Sequence, residues 1–192
     1  SATFHLEAAN LQVSNGASAY LNNGLGNLII GMNGEEEYVD SVGRGGSHNL
    51  VIGQGHAYSN SHGILHGFNA TLTDRYAAVI GGANNRVDGA YGVAIAGQDN
   101  VVLNDARYAA SIGGQANSLN ADYAAAVAGL DNEINGRWSA GIAGIENKLT
   151  GSQAAVVGGR AGEVSGSESV MIGSSSSSLD GHQAVIIGGE GS

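Results

Sequence analysis

The sequence predicts an all-β fold, a β-solenoid or β-roll of about 15-residue coils, and three observations support this prediction. Short apolar runs recur along residues 47–189, and a glycine follows almost every run. The runs are too short for a helical period and alternate with turn signals such as Asp-Gly and Asn-Gly, as is typical of short strands. Glycine accounts for 33 of the 192 residues, roughly twice its usual share in soluble proteins.

The glycine after each apolar run serves as the anchor of the repeat. The anchors are Gly67, Gly82, Gly97, Gly114, Gly129, Gly144, Gly159, Ser174 in the place of glycine, and Gly189. They follow one another at a 15-residue spacing, except for a 17-residue spacing between Gly97 and Gly114. Stacked coils lie about 4.8 Å apart, so equivalent residues are expected to form ladders along the axis. We expect the insertion of two extra residues to be absorbed in the turn at 103–106 without a break in the repeat.

Two aliphatic columns are predicted to meet in a thin core. One lies two residues before each anchor: Leu65, Ile80, Ile95, Ile112, Val127, Ile142, Val157, Ile172 and Ile187. The other lies five residues after it: Leu72, Val87, Val102, Leu119, Ile134, Leu149, Val164 and Leu179. The two strands therefore contribute one core column each.

The columns three and five residues before the anchor are predicted to point away from that core. They hold mostly small, uncharged residues: Val79, Ala94, Ser111, Ala126, Gly141, Val156, Met171 and Ile186 in the first, and Ala77, Gly92, Ala109, Ala124, Ser139, Ala154, Ser169 and Ala184 in the second. A solvated strand face does not need to be small and apolar, so we expect this face to pack against another chain.

Asparagine recurs three residues after the anchor, at Asn85, Asn100, Asn117, Asn132 and Asn147. Asparagine tolerates the left-handed backbone conformation of tight turns, and stacked amides can hydrogen-bond along the axis. We interpret this column as a turn and amide ladder, with a polar binding stripe as the alternative. The N-terminal quarter differs, although Leu28-Ile29-Ile30-Gly31 looks like one more coil separated by an insertion. Residues 1–46 are predicted to form a cap or neck with an acidic loop at Glu35–Glu37, and residues 47–192 the roll.

Composition excludes several classes of function. Seven basic and seventeen acidic side chains give a net charge of −10, which disfavours nucleic-acid partners. No apolar run is long enough for a transmembrane helix, so no direct membrane insertion is expected. Cysteine is absent, which removes disulfides, thiolate metal sites and thiol nucleophiles. No phosphate-binding loop or serine nucleophile motif is present, and no cofactor is expected.

The coils that read Tyr76-Ala-Ala-Val-Ile-Gly-Gly82 and Ser169-Val-Met-Ile-Gly173 resemble the head repeats of trimeric autotransporter adhesins. The stretch Gly92-Val-Ala-Ile-Ala96 looks like a further version of the Ser-Val-Ala-Ile-Gly-like strand of that family. The resemblance covers roughly residues 47–189. It implies a left-handed parallel β-roll, three chains around one axis, and attachment to a host surface or matrix.

An aromatic column is the main candidate ligand-binding site. Its members fall six residues before the anchors: Tyr76, Tyr91, Tyr108, Tyr123 and Trp138. Gln153, Glu168 and Gln183 continue the column, so it is expected to be at least partly exposed, since a core column would not change to charged and amide residues. Stacked aromatics stabilise neighbouring strands, and a purely structural ladder is the alternative.

Two other groups of residues are weaker candidates for a site. Asp99, Asp131 and Glu146 share the column two residues after the anchor, where paired carboxylates could hold a cation or cleave a polysaccharide; solvated turn carboxylates are the alternative. Four histidines cluster early, at His48, His56, His62 and His66, and sequence alone leaves open whether they bind an ion.

Together these features predict an extracellular fibre or adhesin head on a bacterial cell surface or fibre tip. It is expected to be a non-catalytic homotrimer that binds a cell-surface or matrix ligand multivalently, a neutral glycan being favoured by the acidic net charge. A purely structural spacer or self-assembling filament subunit is the first alternative. A polysaccharide-cleaving β-helix enzyme is the second.

Overall fold

The computed structural model describes residues 3–32 and 43–190, and within them the chain is a parallel β-solenoid of about nine turns. Twenty short strands and no helix are present in these ranges, so no described segment is a helix able to cross a membrane. From the second strand onward the strands alternate between two sheets, and every pairing is parallel. This confirms the predicted all-β solenoid with its about 15-residue coils.

The eleven-stranded sheet holds the longer strands of the coils. They are Leu28–Ile30 (β1), Leu50–Gln54 (β2), Ile64–Phe68 (β4), Ala78–Ala83 (β6), Val93–Ile95 (β8), Ala110–Ile112 (β10), Ala125–Val127 (β12), Ala140–Ile142 (β14), Ala155–Val157 (β16), Val170–Ile172 (β18) and Val185–Ile187 (β20).

The nine-stranded sheet holds two-residue strands that follow each turn. They are Ala57–Tyr58 (β3), Thr71–Leu72 (β5), Arg86–Val87 (β7), Val101–Val102 (β9), Ser118–Leu119 (β11), Glu133–Ile134 (β13), Lys148–Leu149 (β15), Glu163–Val164 (β17) and Ser178–Leu179 (β19).

The pairing register shows where the length of the repeat changes. Leu50 pairs with Ile64 and Ile64 with Ala78, so the first coils are one residue shorter than most of the later ones. A register shift between β4 and β6 places Leu65 opposite Val79, not opposite Ile80 as the glycine spacing suggests. The 17-residue coil keeps its register as predicted, because a turn closed by the Ala106 amide and the Leu103 carbonyl (2.9 Å) takes up the insertion.

The core contains the column predicted for the nine-stranded sheet, but on the eleven-stranded sheet a different column from the predicted one faces inward. The column five residues after the anchor is buried, as predicted, with Leu119, Ile134 and Leu149 all at 0 % exposure. The predicted partner column is wrong: the aliphatics from Ile80 to Ile172 point outward and are 37–43 % exposed. Of that predicted core column only Leu65 is buried, because the register shift moves it into the inward-facing column.

The small-residue columns face inward and fill the remaining space. Val79, Ala94 and Ala126 are fully buried, and Ala109 and Ala124 next to them are nearly so. The side chains of the nine-stranded sheet fill the rest of the thin interior, and the inward column opposite them ranges in size from Gly141 to Val156 and Met171. The prediction that the small-residue columns form the outer packing face is therefore wrong.

The amide ladder is confirmed, but its backbone conformation is not the predicted one. The Nδ2 groups of Asn100, Asn117, Asn132 and Asn147 each donate to the Oδ1 of the asparagine one coil earlier, at 2.9–3.2 Å. The left-handed residue is the one before each asparagine, such as Asp131 with φ 57°. The ladder ends at Gly162, whose backbone amide still donates to Asn147 Oδ1 at 3.0 Å.

The anchor glycines are required by close approach between coils. At Gly114, with φ 74°, a Cβ would lie 2.5 Å from the carbonyl oxygen of Gly129 in the next coil. Glycine avoids both that clash and the strain of the left-handed backbone.

At the N-terminal end β1 pairs in register with β2, while the residues before it form no strand in the described part of the chain. The predicted acidic loop at 35–37 lies outside the described residues.

Candidate binding surface

The five predicted aromatic residues form one continuous stack along a corner of the solenoid. Tyr76, Tyr91, Tyr108 and Tyr123 have ring centroids 4.9–5.2 Å apart and planes within 14° of parallel. Trp138 extends the stack at 5.8 Å from Tyr123. We call this set, with the two histidines described next, the aromatic ladder. The column inferred from spacing is thus a physical stack of rings.

Two members of the ladder were missed from sequence. His48 stacks on His62 at 5.4 Å, and His62 stacks on Tyr76 at 5.2 Å. Their 14-residue spacing (48, 62, 76) is the signal that identifies them, but the 15-residue spacing of the glycine anchors from Gly67 onward conceals it. The ladder therefore spans seven coils and has imidazole rings at its N-terminal end.

The ladder residues occupy a backbone conformation that their side chains disfavour. Tyr91, Tyr108 and Tyr123 have φ of 59–60°, and Gln153 and Glu168 farther along the corner have φ of 56–57°. The left-handed region costs a non-glycine residue roughly 1–2 kcal/mol. A favourable ring pair contributes about 0.5–1.5 kcal/mol, so stacking offsets much of the strain in the aromatic coils.

Stacking also decides which part of each ring meets solvent. The five predicted residues are 41–53 % exposed, yet each ring face between Tyr76 and Trp138 is covered by its neighbour. On Trp138, the guanidinium carbon of Arg137 lies 4.5 Å from the ring centroid. A ligand therefore meets a row of ring edges and hydroxyl groups spaced by one coil, and not a set of open ring faces.

A small ion network lies beside the ladder. The Asp122 carboxylate accepts hydrogen bonds from the Arg107 guanidinium at 3.0 and 3.2 Å, and Arg137 lies 3.5 Å from it. The hydrogen bond from Arg107 lowers the pKa of the Asp122 carboxyl, and the same contact raises the pKa of Arg107. The network fixes the corner residues that immediately precede Tyr108, Tyr123 and Trp138.

The carboxylate column lies elsewhere on the solenoid. Asp131 and Glu146 are exposed and line a shallow groove of about 460 Å³ over the nine-stranded sheet. Glu133 and Lys148 lie opposite each other on adjacent coils and line the same groove, with 3.4 Å between Glu133 Oε2 and Lys148 Nζ. A hydrogen bond from Asn135, assisted by the charge of Lys148, lowers the pKa of Glu133. The groove is open and polar, and its carboxylates face solvent.

The four early histidines occupy three different environments. His48 and His62 belong to the aromatic ladder, His66 lies exposed in the outward column of β4, and His56 is fully buried. Among residues 3–32 and 43–190, no three His, Cys, Asp or Glu side chains come together in a group that could hold a metal ion.

Comparison with known proteins adds no assignment to this geometry. The chain matches no known protein-family model, and no curated protein is significantly similar to it.

Proposed function

We propose that the protein is a non-catalytic binding head of an extracellular fibre or adhesin, displayed on a bacterial cell surface or at a fibre tip. In this proposal the solenoid is a left-handed parallel β-roll, and three copies assemble around one axis. The resemblance of the coil sequences to trimeric autotransporter adhesin heads supports this arrangement. The aromatic ladder is the single observation that carries the binding function.

The exposed aliphatic face supports assembly with further copies of the chain. It consists of the outward column from Ile80 to Ile187 and the neighbouring column from Ala78 to Val185, and neither column contains a charged residue. The face runs over eight coils, about 34 Å at the usual strand spacing. An uninterrupted apolar face of this length is typical of an interaction surface. We infer that the trimer buries this face, which replaces the small-residue columns as the assembly surface.

The ladder supports a ligand that lies along the solenoid axis. Because neighbouring rings cover each other's faces, a sugar ring cannot stack between them. The ring edges and phenolic hydroxyl groups instead offer the same contact once per coil, which suits an extended glycan with repeated hydroxyl groups. Weak contacts repeated along one ladder, and again on three chains, add up through avidity. The net charge of −10 favours a neutral glycan over a sulfated one.

Replacement of Tyr108, Tyr123 and Trp138 by alanine tests the proposed binding function. Binding to cells or to a glycan array should fall by at least about tenfold, since each lost hydrogen bond from a phenol or indole group contributes about 0.5–1.5 kcal/mol. The matched control replaces Gln153, Glu168 and Gln183, which occupy the same corner in the next three coils, and should leave binding unchanged. Equal binding by wild type and both variants would reduce the ladder to a packing element.

A structural spacer or filament subunit is the second candidate function. The stacking of the rings on one another favours this function, because rings whose faces contact each other stabilise the packing of neighbouring coils. Sedimentation at increasing protein concentration distinguishes the two candidates. Continued growth of the particle beyond three chains would support the filament, whereas a closed trimer that binds a glycan would support the binding head.

A further inference from the structure

We propose that the tyrosines of the aromatic ladder are a site of oxidative crosslinking, at which tyrosines of adjacent coils couple to dityrosine and fasten the coils together. This inference is independent of the ligand proposed above. It rests on the distances between the rings, their exposure, and the order of tyrosines along the ladder.

The ring geometry brings neighbouring phenols close enough to couple. Tyr91 and Tyr108 have centroids 4.9 Å apart and an interplanar angle of 7°, and Tyr108 and Tyr123 are 5.1 Å apart at the same angle. Tyr76 and Tyr91 are 5.2 Å apart at 14°. Equivalent positions in parallel coils hold the rings in register, so corresponding ring carbons of two neighbours lie side by side. The outer ends of the rings have to move toward each other before two of these carbons can bond, and their exposure to solvent leaves room for that movement.

The same rings are accessible to an oxidant. The four ladder tyrosines are 41–49 % exposed, and none of their hydroxyl groups has a hydrogen-bond partner among the residues that the structure describes. The chain has three other tyrosines. Tyr58 is buried at 3 % exposure, Tyr20 is exposed outside the ladder, and Tyr38 lies outside the described residues. The ladder is thus the one place within the described residues where exposed tyrosines are neighbours.

The chemistry requires a one-electron oxidant, for which a peroxidase with hydrogen peroxide is the natural class. Each of two phenols loses one electron and its hydroxyl proton. The two phenoxyl radicals then form a carbon–carbon bond between ring carbons next to the oxygen-bearing carbons. Each of these carbons passes its hydrogen to its own phenolic oxygen, which restores both aromatic rings. The peroxide accepts the two electrons and two protons and becomes two molecules of water.

The order of the ladder limits the products. Each coupling consumes two tyrosines, so the four residues give at most two crosslinks, Tyr76 to Tyr91 and Tyr108 to Tyr123. Coupling of Tyr91 to Tyr108 leaves Tyr76 and Tyr123 without a neighbouring tyrosine to couple with. Each crosslink closes a loop of one coil, which restricts the unfolded chain and should raise the temperature of unfolding.

Two double variants of equal composition test the proposal. Tyr76→Phe with Tyr123→Phe keeps the neighbours Tyr91 and Tyr108, whereas Tyr91→Phe with Tyr123→Phe leaves Tyr76 and Tyr108 separated by a phenyl ring. Phenylalanine keeps the stack but cannot form a phenoxyl radical. Circular dichroism establishes that both variants are folded. Each protein is then treated with a peroxidase and hydrogen peroxide, and dityrosine fluorescence, intact mass and crosslinked peptides are measured.

We expect an in-chain crosslink only in the variant with adjacent tyrosines, with loss of the mass of two hydrogen atoms and a peptide joining residues 91 and 108. Peptide mapping of the wild type provides a second readout that needs no variant, and only neighbouring ladder tyrosines should be joined. Equal in-chain coupling in both variants would overturn the proposal. So would a wild type that forms only interchain dityrosine, or none at a dose that couples free N-acetyltyrosine.

Discussion

The asparagine ladder shows how a single repeated residue holds neighbouring coils in register. Asn117 donates through Nδ2 to Asn100 Oδ1 at 3.0 Å. Its own Oδ1 accepts hydrogen bonds from the backbone N–H of Asn132 at 3.2 Å and from the Nδ2 of Asn132 at 2.9 Å. All three side chains are buried. A buried polar group without a partner costs about 1–3 kcal/mol, so each amide depends on the next.

Asn117→Ala should therefore lower the free energy of unfolding by about 2–4 kcal/mol, because two donors of Asn132 lose their acceptor. Urea denaturation followed by circular dichroism measures the change. The control is Asn120→Ala, an exposed asparagine three residues later, which should change stability by less than about 0.5 kcal/mol. Equal losses in the two variants would show that the amide ladder contributes no more than a surface side chain.

We expect the stability of the N-terminal coils to depend on pH through the buried His56. Its Nδ1 accepts a hydrogen bond from the Ala70 amide at 3.2 Å, and its Nε2 donates to the Ile52 carbonyl at 3.0 Å, so the ring is held neutral. Burial lowers the pKa of His56 below 6.5, and the nearby His66 and Arg44 lower it further. The unfolded chain then binds the proton more readily than the folded chain does.

The contribution of His56 to stability is therefore present above about pH 6.5 and is lost as the pH falls through its lowered folded-state pKa. The urea midpoint should be lower at pH 5 than at pH 8. His56→Gln should be less stable at pH 8 but should lose less stability on acidification. An identical pH dependence in the variant and the wild type would assign the effect to other groups.

At the scale of strands, the sequence predicts the elements well and their faces poorly. The glycine spacing locates the coils, and the aromatic column is brought together as expected. The choice of core face fails because strands such as Val156-Val157 and Ile186-Ile187 carry aliphatics on both faces, so alternation does not distinguish inside from outside. Residue size does not distinguish the faces either, since the inward column holds Gly141 and Ala126 but also Val156 and Met171.

Two adjacent residues of β12 give a direct test of which face is buried. Ala126 is fully buried, whereas its neighbour Val127 is 37 % exposed on the aliphatic face. Ala126→Glu places an unpaired charge in the core and should abolish the cooperative unfolding transition. Val127→Glu should leave the circular dichroism spectrum unchanged and dissociate the proposed trimer. The reverse pattern, with Ala126→Glu folded and monomeric, would restore the original assignment of faces.

At the scale of the whole molecule, the solenoid separates its surfaces by chemistry. One side carries the aliphatic face, a corner carries the aromatic ladder with its arginine and aspartate neighbours, and the nine-stranded sheet presents charged and polar groups to solvent. Because each coil adds one rung, the aliphatic face runs over eight coils, from Ile80 to Ile187, and the aromatic ladder over seven, from His48 to Trp138. The proposed function assigns assembly to the first surface and ligand binding to the second.

Multi-angle light scattering of the wild-type protein after size exclusion tests this division of surfaces most directly. We expect a particle three times the chain mass of 19.1 kDa at micromolar concentration, because the charge-free aliphatic face is buried between copies in the proposed trimer. A particle of 19.1 kDa under the same conditions would contradict it, since the aliphatic face would then remain exposed on a stable monomer.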